Sequence, residues 1–197
     1  IHLGQISALR PSKLIIGLIY RDILIKDKAV YILKKRFRKI DFQSHELDFN
    51  YTDYYYPEMG RPSKRLFIGF EKLISEEKLA EIKIYTNSLE ERLSVEGKRR
   101  INIDPGFLSA GKLVLATTKN YNHRIYLKKG IFAEVTLFYK KNGFHPWPWG
   151  YPDYQSKEYL DIFNAIRQVY LKQIENAPQL SQGLPRRLPA RKVRNTA

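Results

Sequence analysis

The stretch Lys13-Leu14-Ile15-Ile16-Gly17-Leu18-Ile19-Tyr20 is apolar at both parities. A strand of that kind is covered on two faces, so it sits in the middle of a sheet. Behind it, Ile25, Val30, Leu33 and Phe37 recur at near-helical spacing and predict a helix from about Ile23 to Arg38, with its lysines and arginines on the solvated side. Ile40 to Asn50 alternates loosely. Lys64 to Leu73 alternates clearly, with Leu66, Ile68 and Phe70 on one side and Arg65, Phe67, Gly69 and Glu71 on the other, so two more strands follow. Ser75 before Glu76 and Glu77 is a helix start, continued by Leu79, Ile82, Leu89 and Leu93, although Ile82-Lys83-Ile84 reads equally as a strand.

Lys98 to Asp104 reads as a strand ended by Asp104-Pro105-Gly106, a type II turn signal, with a helix from about Ser109 to Thr118 behind it. Tyr121 to Leu127 and Ile131 to Tyr139 then pair as a hairpin around Lys128-Lys129-Gly130, and a last helix runs from about Ser156 to Glu175. The fold class is therefore α+β: a mixed or antiparallel sheet with a ferredoxin-like β-α-β-β-α-β front half extended by α-β-β-α. Residues 1–176 read as one domain. Residues 177–197 read as a basic tail rich in Pro and Arg, with Arg186, Arg187, Arg191, Lys192 and Arg194 and no acid.

The chain has 197 residues and a formal net charge of +15, and removing the tail's cations still leaves a basic body. There is no cysteine, which excludes a disulfide scaffold, a thiolate zinc site and a cysteine nucleophile. No apolar run approaches the roughly 18 residues of a membrane span, and no secretory pattern opens the chain, so the expectation is a soluble cytoplasmic protein without a membrane partner. Residues 97–130 hold eight Lys and Arg against Asp104 alone.

Strand parity sorts that basic stretch. Ile101 and Ile103 point one way while Arg100, Asn102 and Asp104 point the other. Pairing across the hairpin sets Arg124 opposite Glu134 and Tyr126 opposite Phe132, leaving Ile125, Leu127, Ile131, Ala133, Val135 and Leu137 as a core face. His123 shares that apolar parity and reads as a buried histidine. Merged, the polar faces place two carboxylates among guanidiniums. Asp104 and Glu134 would hold Mg²⁺ or act as an acid/base pair, while phosphate oxygens accept the paired N–H groups of an Arg fork. Lys98, Arg99 and Lys119 enlarge the positive field.

Gly106 to Leu113 fits seven positions of the phosphate-loop pattern G-x-x-x-x-G-K-[ST] and fails at the eighth, where Leu113 has no hydroxyl for Mg²⁺. What survives is a helix N-terminus after Gly106 that could receive an anion. Two long aromatic loops, Tyr51 to Gly60 and Pro146 to Tyr154, read as rings for stacking on a base or sugar, or as lids over the sheet end.

Several of these segments resemble an uncharacterised prokaryotic family, domain of unknown function 4416. The resemblance is carried by Thr52-Asp53-Tyr54-Tyr55, Glu58-Met59-Gly60, Glu81-Ile82-Lys83 with Thr86-Asn87, Gly97 to Gly106, Lys112 to Lys119, His123 to Leu127 and Tyr151-Pro152-Asp153-Tyr154, and extends over about residues 12 to 175. It implies a compact single-domain prokaryotic protein with a shared site at the places singled out above, and implies no reaction.

The leading functional expectation is a phosphate-bearing small ligand such as a nucleotide. Lys98, Arg99, Arg100, Lys119 and Arg124 would hold its anionic groups, and Asn102, Asp53, Tyr54 and Tyr154 would contact the rest. Whether chemistry follows is open; transfer or hydrolysis would suit the groups. The alternatives are a non-catalytic RNA or single-stranded DNA binder, and an interaction protein whose residues 178–197 clasp a second subunit as a homo-oligomer.

Overall fold

A computed structural model describes residues 10–176, apart from Asp53 and Tyr55. The basic tail and its expected partner contacts lie outside the described residues, as does Asp53. The described chain forms strands β1 (Lys13–Tyr20), β2 (Ile40–Gln43), β3 (Leu47–Phe49), β4 (Ser63–Phe70), β5 (Ile101–Leu108), β6 (Lys112–Thr117), β7 (Ile125–Lys128), β8 (Ile131–Lys140) and β9 (Gly143–Pro146). Its helices are α1 (Ile23–Phe37), α2 (Tyr56–Met59), α3 (Leu79–Leu93) and α4 (Lys157–Asn176). The fold is α+β. One sheet of nine strands has the order β2-β4-β1-β5-β6-β8-β7, with β3 also on β4 and β9 on β8, and every pairing is antiparallel.

Every residue of β1 is buried, as its double-sided apolar pattern requires. Leu14, Ile16, Leu18 and Tyr20 enter the core under α1 and α3, whereas Ile15 faces the core under α4. Asp22 caps α1 by accepting the Leu24 N–H at 2.9 Å, which satisfies one of the free donors of the first turn. Helix α3 continues unbroken through Tyr85-Thr86-Asn87. Helix α4 buries Tyr159, Ile162, Phe163, Ile166 and Tyr170 against the second face.

Four expectations are corrected. Residues 109–118 are not a helix: Lys112–Thr117 is β6, paired with both β5 and β8. Its apolar run is too short for period to separate strand from helix, and the sheet claims it. No helix N-terminus therefore follows Gly106, and the anion site expected there does not exist. Nor do Asp104-Pro105-Gly106 form a turn, because β5 runs through them to Leu108. Gly106 serves close approach instead, since a Cβ there would stand 2.6 Å from Leu115 Cδ2 and press on the Val114 carbonyl.

The third correction concerns Ile40 to Asn50, which breaks at Ser44–Glu46 into β2 and β3. The fourth concerns the hairpin. Tyr126 does face Phe132 and Ile125 faces Ala133, but Ile125 is 70% exposed, and Leu127 and Val135 are exposed as well. Strand β7 is the outermost of the sheet, and the cluster under α3 takes in Ile131 and Ala133 but not β7. A register shift in β8, from Val114↔Val135 to Leu113↔Leu137, adds one residue. That bulge turns Leu137 into the α4 core, on the opposite face from Ala133.

Candidate functional site

The β5–β6 ladder is short. It pairs Gly106, Phe107 and Leu108 with Leu115, Val114 and Leu113, and there it stops. Continued by one residue, the register would set Pro105 opposite Ala116, where proline has no N–H to give. Strand β1 accompanies all eight residues of β5, so the first half of β5 has a strand on one side only. The backbone left open on the other side is completed from α3. Glu90 Oε1 accepts the Ile103 N–H at 2.6 Å, and Lys83 Nζ donates to the Ile103 carbonyl at 3.0 Å. The sheet is thereby held open between β5 and β6.

A cavity of about 520 Å³ occupies this opening, a size ordinary for small-ligand sites. Its walls are Asn102 and Asp104 of β5, Lys83, Asn87 and Glu90 of α3, Leu115 to Lys119 at the end of β6, Glu134 of β8, and the aromatic loops at Tyr51, Thr52 and Tyr54 and at Tyr151 to Tyr154.

Arg65 of β4 reaches the cavity from two strands away. Its neighbours in β1 and β5 leave a path: Gly17 pairs with Phe67 on one side and Asp104 on the other. The guanidinium lies over Gly17, where a Cβ would meet Nη2 at 3.1 Å. Beyond the glycine, Nη1 lies 3.4 Å from Asp104 Oδ2 and Nη2 donates to the Tyr154 hydroxyl at 2.7 Å. Rings surround the cation, with Phe67 at 4.7 Å and Phe49, Tyr154 and Tyr159 within about 6 Å. Arg65 is only 2% exposed, yet its buried Nε has no partner, nor has the nearby Tyr159 hydroxyl. A guanidinium has five donors, and this one has two acceptors.

The carboxylates are engaged by cations. Asp104 Oδ2 also accepts from Asn102 Nδ2 at 2.6 Å, and its Oδ1 lies 3.5 Å from Lys83 Nζ. Glu134 is 5% exposed and binds Arg124 Nε at 2.6 Å. Arg124 lies outside the cavity lining, and it positions three things that belong to the lining: Glu134, the Tyr151 hydroxyl at 2.7 Å and the Lys119 carbonyl at 3.0 Å. Burial pushes Glu90 up to about 7, against the pull of Lys83 and the Ile103 N–H. Burial also raises Asp153, Tyr151 and Tyr154.

The sequence-derived site is brought together in part. Arg99, Asn102, Asp104, Lys119, Glu134, Tyr54 and Tyr154 all line the cavity, and Arg124 meets Glu134 as strand pairing indicated. Arg99 is clamped by Glu58, at 2.6 and 2.8 Å, which lowers the Glu58 carboxyl below its ordinary range. Lys119 lies 4.0 Å over the Tyr54 ring and has no carboxylate partner among the described residues. Lys98 and Arg100 are elsewhere. Lys98 is exposed at a turn bridged to Val95, and Arg100 precedes β5 and pairs with Asp22 at the start of α1. His123 is not buried: its side chain is 35% exposed, with Nε2 at 3.3 Å from Glu134 Oε2. It precedes β7 at the sheet margin, where strand parity no longer governs.

Residues 10–170 match the family model described as a domain of unknown function, number 4416. The chain belongs to that family. No curated protein and no solved structure matches it. The matched stretch spans every residue that lines the cavity, and the basic tail lies outside it.

Strand parity missed Arg65, Lys83, Asn87, Glu90 and Tyr151. Arg65 did show itself as a cation in the alternation of β4. Lys83 and Glu90 sit on one helix face, and nothing local shows that this face meets a strand edge. Among the described residues no three His, Asp or Glu side chains gather as a metal site. Asp104 and Glu134 each already face a cation, so this donor set suits an anionic, hydrogen-bonding ligand better than Mg²⁺.

Proposed function

We propose that this protein binds a small ligand bearing a phosphate or a similar oxyanion, of nucleotide size, in the cavity between β5 and β6. The observation that carries the reading is Arg65, a buried guanidinium on the cavity wall with more donors than acceptors. A buried cation of this kind gains most from an oxyanion, whose oxygens take paired N–H groups. Lys119, an exposed lining residue, supplies a second positive charge. Tyr54 and Tyr151, both partly exposed, offer ring faces for a base or sugar, and Asn87 and Thr118 offer polar groups that have no hydrogen-bond partner among the described residues.

The test is thermal shift and calorimetry against inorganic phosphate, sugar phosphates and nucleotides, with Arg65→Met as the control. A ligand that raises the melting temperature of the native chain and leaves that of Arg65→Met unchanged supports the reading. Silence across all oxyanions overturns it. Binding only to RNA or single-stranded DNA, falling steeply with salt and lost with residues 178–197, would favour the nucleic-acid alternative instead.

A further inference from the structure

An oxyanion entering this cavity meets a carboxylate that no cation fully neutralises. Glu90 is 9% exposed at its side chain and belongs to the lining. Its Oε1 is fixed by the Ile103 N–H at 2.6 Å, so the group cannot swing away. Its Oε2 makes no hydrogen bond among the described residues. Arg99 Nη1 stands 4.0 Å away, and that guanidinium is already clamped by Glu58. Lys83, on the same face of α3, spends its ammonium on the Ile103 carbonyl and on Asp104. Asp104 of β5 adds a second negative charge to the same space.

Resting on the oxyanion reading above, we propose that Glu90 binds the ligand as a carboxylic acid: it takes one proton from solvent on binding and donates a hydrogen bond from Oε2 to a ligand oxygen. No covalent bond forms, and the proton returns to solvent on release. Two anions in hydrogen-bond contact cannot both stay charged in a buried site, and a shared proton turns their repulsion into a donor–acceptor pair. The surroundings make that proton accessible near neutrality, since burial already holds Glu90 at about 7, while Lys83, Arg99 and the Ile103 N–H oppose and Asp104 assists. The device selects oxyanions that accept hydrogen bonds and couples their affinity to pH.

Sulfate is the decisive probe, because its own charge is constant across neutral pH, with AMP beside it as a nucleotide. Calorimetry in two buffers of different ionisation enthalpy counts protons directly. Uptake approaching one proton at about pH 8, and a sulfate affinity roughly tenfold or more weaker at about pH 8.5 than at about pH 6, are expected. Glu90→Gln, which keeps the shape and a donor, should bind sulfate at both pH values about as tightly as the native chain does at the lower one, with no proton taken up. Native binding that is independent of pH and proton-silent overturns the proposal and leaves the oxyanion reading standing. So does a Glu90→Gln variant that keeps the native slope. Absence of binding by any oxyanion at either pH brings down both.

Discussion

Two buried cations in this protein face each other across β1 in role rather than in space. Lys13 is fully enclosed, and its three donors meet Asp41 Oδ2 at 2.7 Å, Gln173 Oε1 at 2.8 Å and the Phe70 carbonyl at 3.1 Å. It ties the start of β1 to β2, β4 and α4, and its hydrogen bonds close. Arg65 is as deeply placed at 2% exposure but has two acceptors for five donors and an orphaned Nε. Burial alone does not separate a structural ion from a binding one. Satisfaction does, on the proposed reading: a buried charge that the chain completes by itself holds the fold, and one left incomplete beside a cavity is the one a ligand would complete.

The sharpest way to break this contrast is to replace both cations with methionine. Lys13→Met strands the Asp41 carboxylate and Gln173, and should lower unfolding free energy by about 3 kcal/mol while leaving oxyanion affinity unchanged. Arg65→Met removes an under-satisfied charge and leaves an apolar side chain among Phe49, Phe67 and Tyr159. Its stability should stay within about 1 kcal/mol of native, while affinity falls by roughly a hundredfold or more. Urea unfolding and calorimetry on the two variants check both halves. If Arg65→Met unfolds the protein as readily as Lys13→Met, or binds as the native chain does, the distinction fails.

A smaller effect separates Glu90 from the paired carboxylates. Its folded proton affinity, about 7, lies above the ordinary value of 4.5, so the folded state holds more protons than the unfolded between those limits. The contribution to stability is complete below about 4.5 and is lost as pH rises to about 7. Between pH 5 and 8 the native chain should lose on the order of 2 kcal/mol more than Glu90→Gln does, read from urea midpoints at a series of pH values. Parallel curves for the two proteins would place Glu90 in water rather than in the wall.

Much of the site was legible because it obeys alternation. Asn102, Asp104 and the Arg124–Glu134 pair were visible from parity, since side chains on a regular strand can point only two ways. What escaped has four physical sources. Pro105-Gly106 has the composition of a turn, but here proline ends a ladder and glycine admits Val114 and Leu115, and a strand carries both without reversing. Lys112 to Thr117 is too short for its period to be read, so its state was decided by its neighbours β5 and β8. Lys83 and Glu90 belong to the site only because the sheet opens beside α3, a tertiary event without a local signature. Arg100 lay within the strand that parity assumed, but β5 begins one residue later and Arg100 turns to Asp22 instead.

The finest test returns to the strand that decides the fold. Gly17 lies in the interior of β1, where a missing side chain weakens a strand unless another group needs the room. Here the group is Arg65. A methyl at position 17 would stand 3.1 Å from Nη2, 3.2 Å from Cζ and 3.2 Å from Phe67 Cε1, closer than ordinary contact but short of a collision. The Phe67 ring packs against Tyr159 and Phe163 and cannot retreat, so the guanidinium must give by a few tenths of an ångström. Gly17→Ala should therefore cost about 1 kcal/mol or less of stability, since alanine also narrows the unfolded ensemble. It should weaken oxyanion affinity by about threefold to tenfold by pushing Arg65 off its line to Asp104. Gly17→Ala in an Arg65→Met background should weaken binding no further, because the path over position 17 then carries no cation. An equal loss in both backgrounds would mean that Gly17 acts on β1 itself and not on the arginine that crosses it.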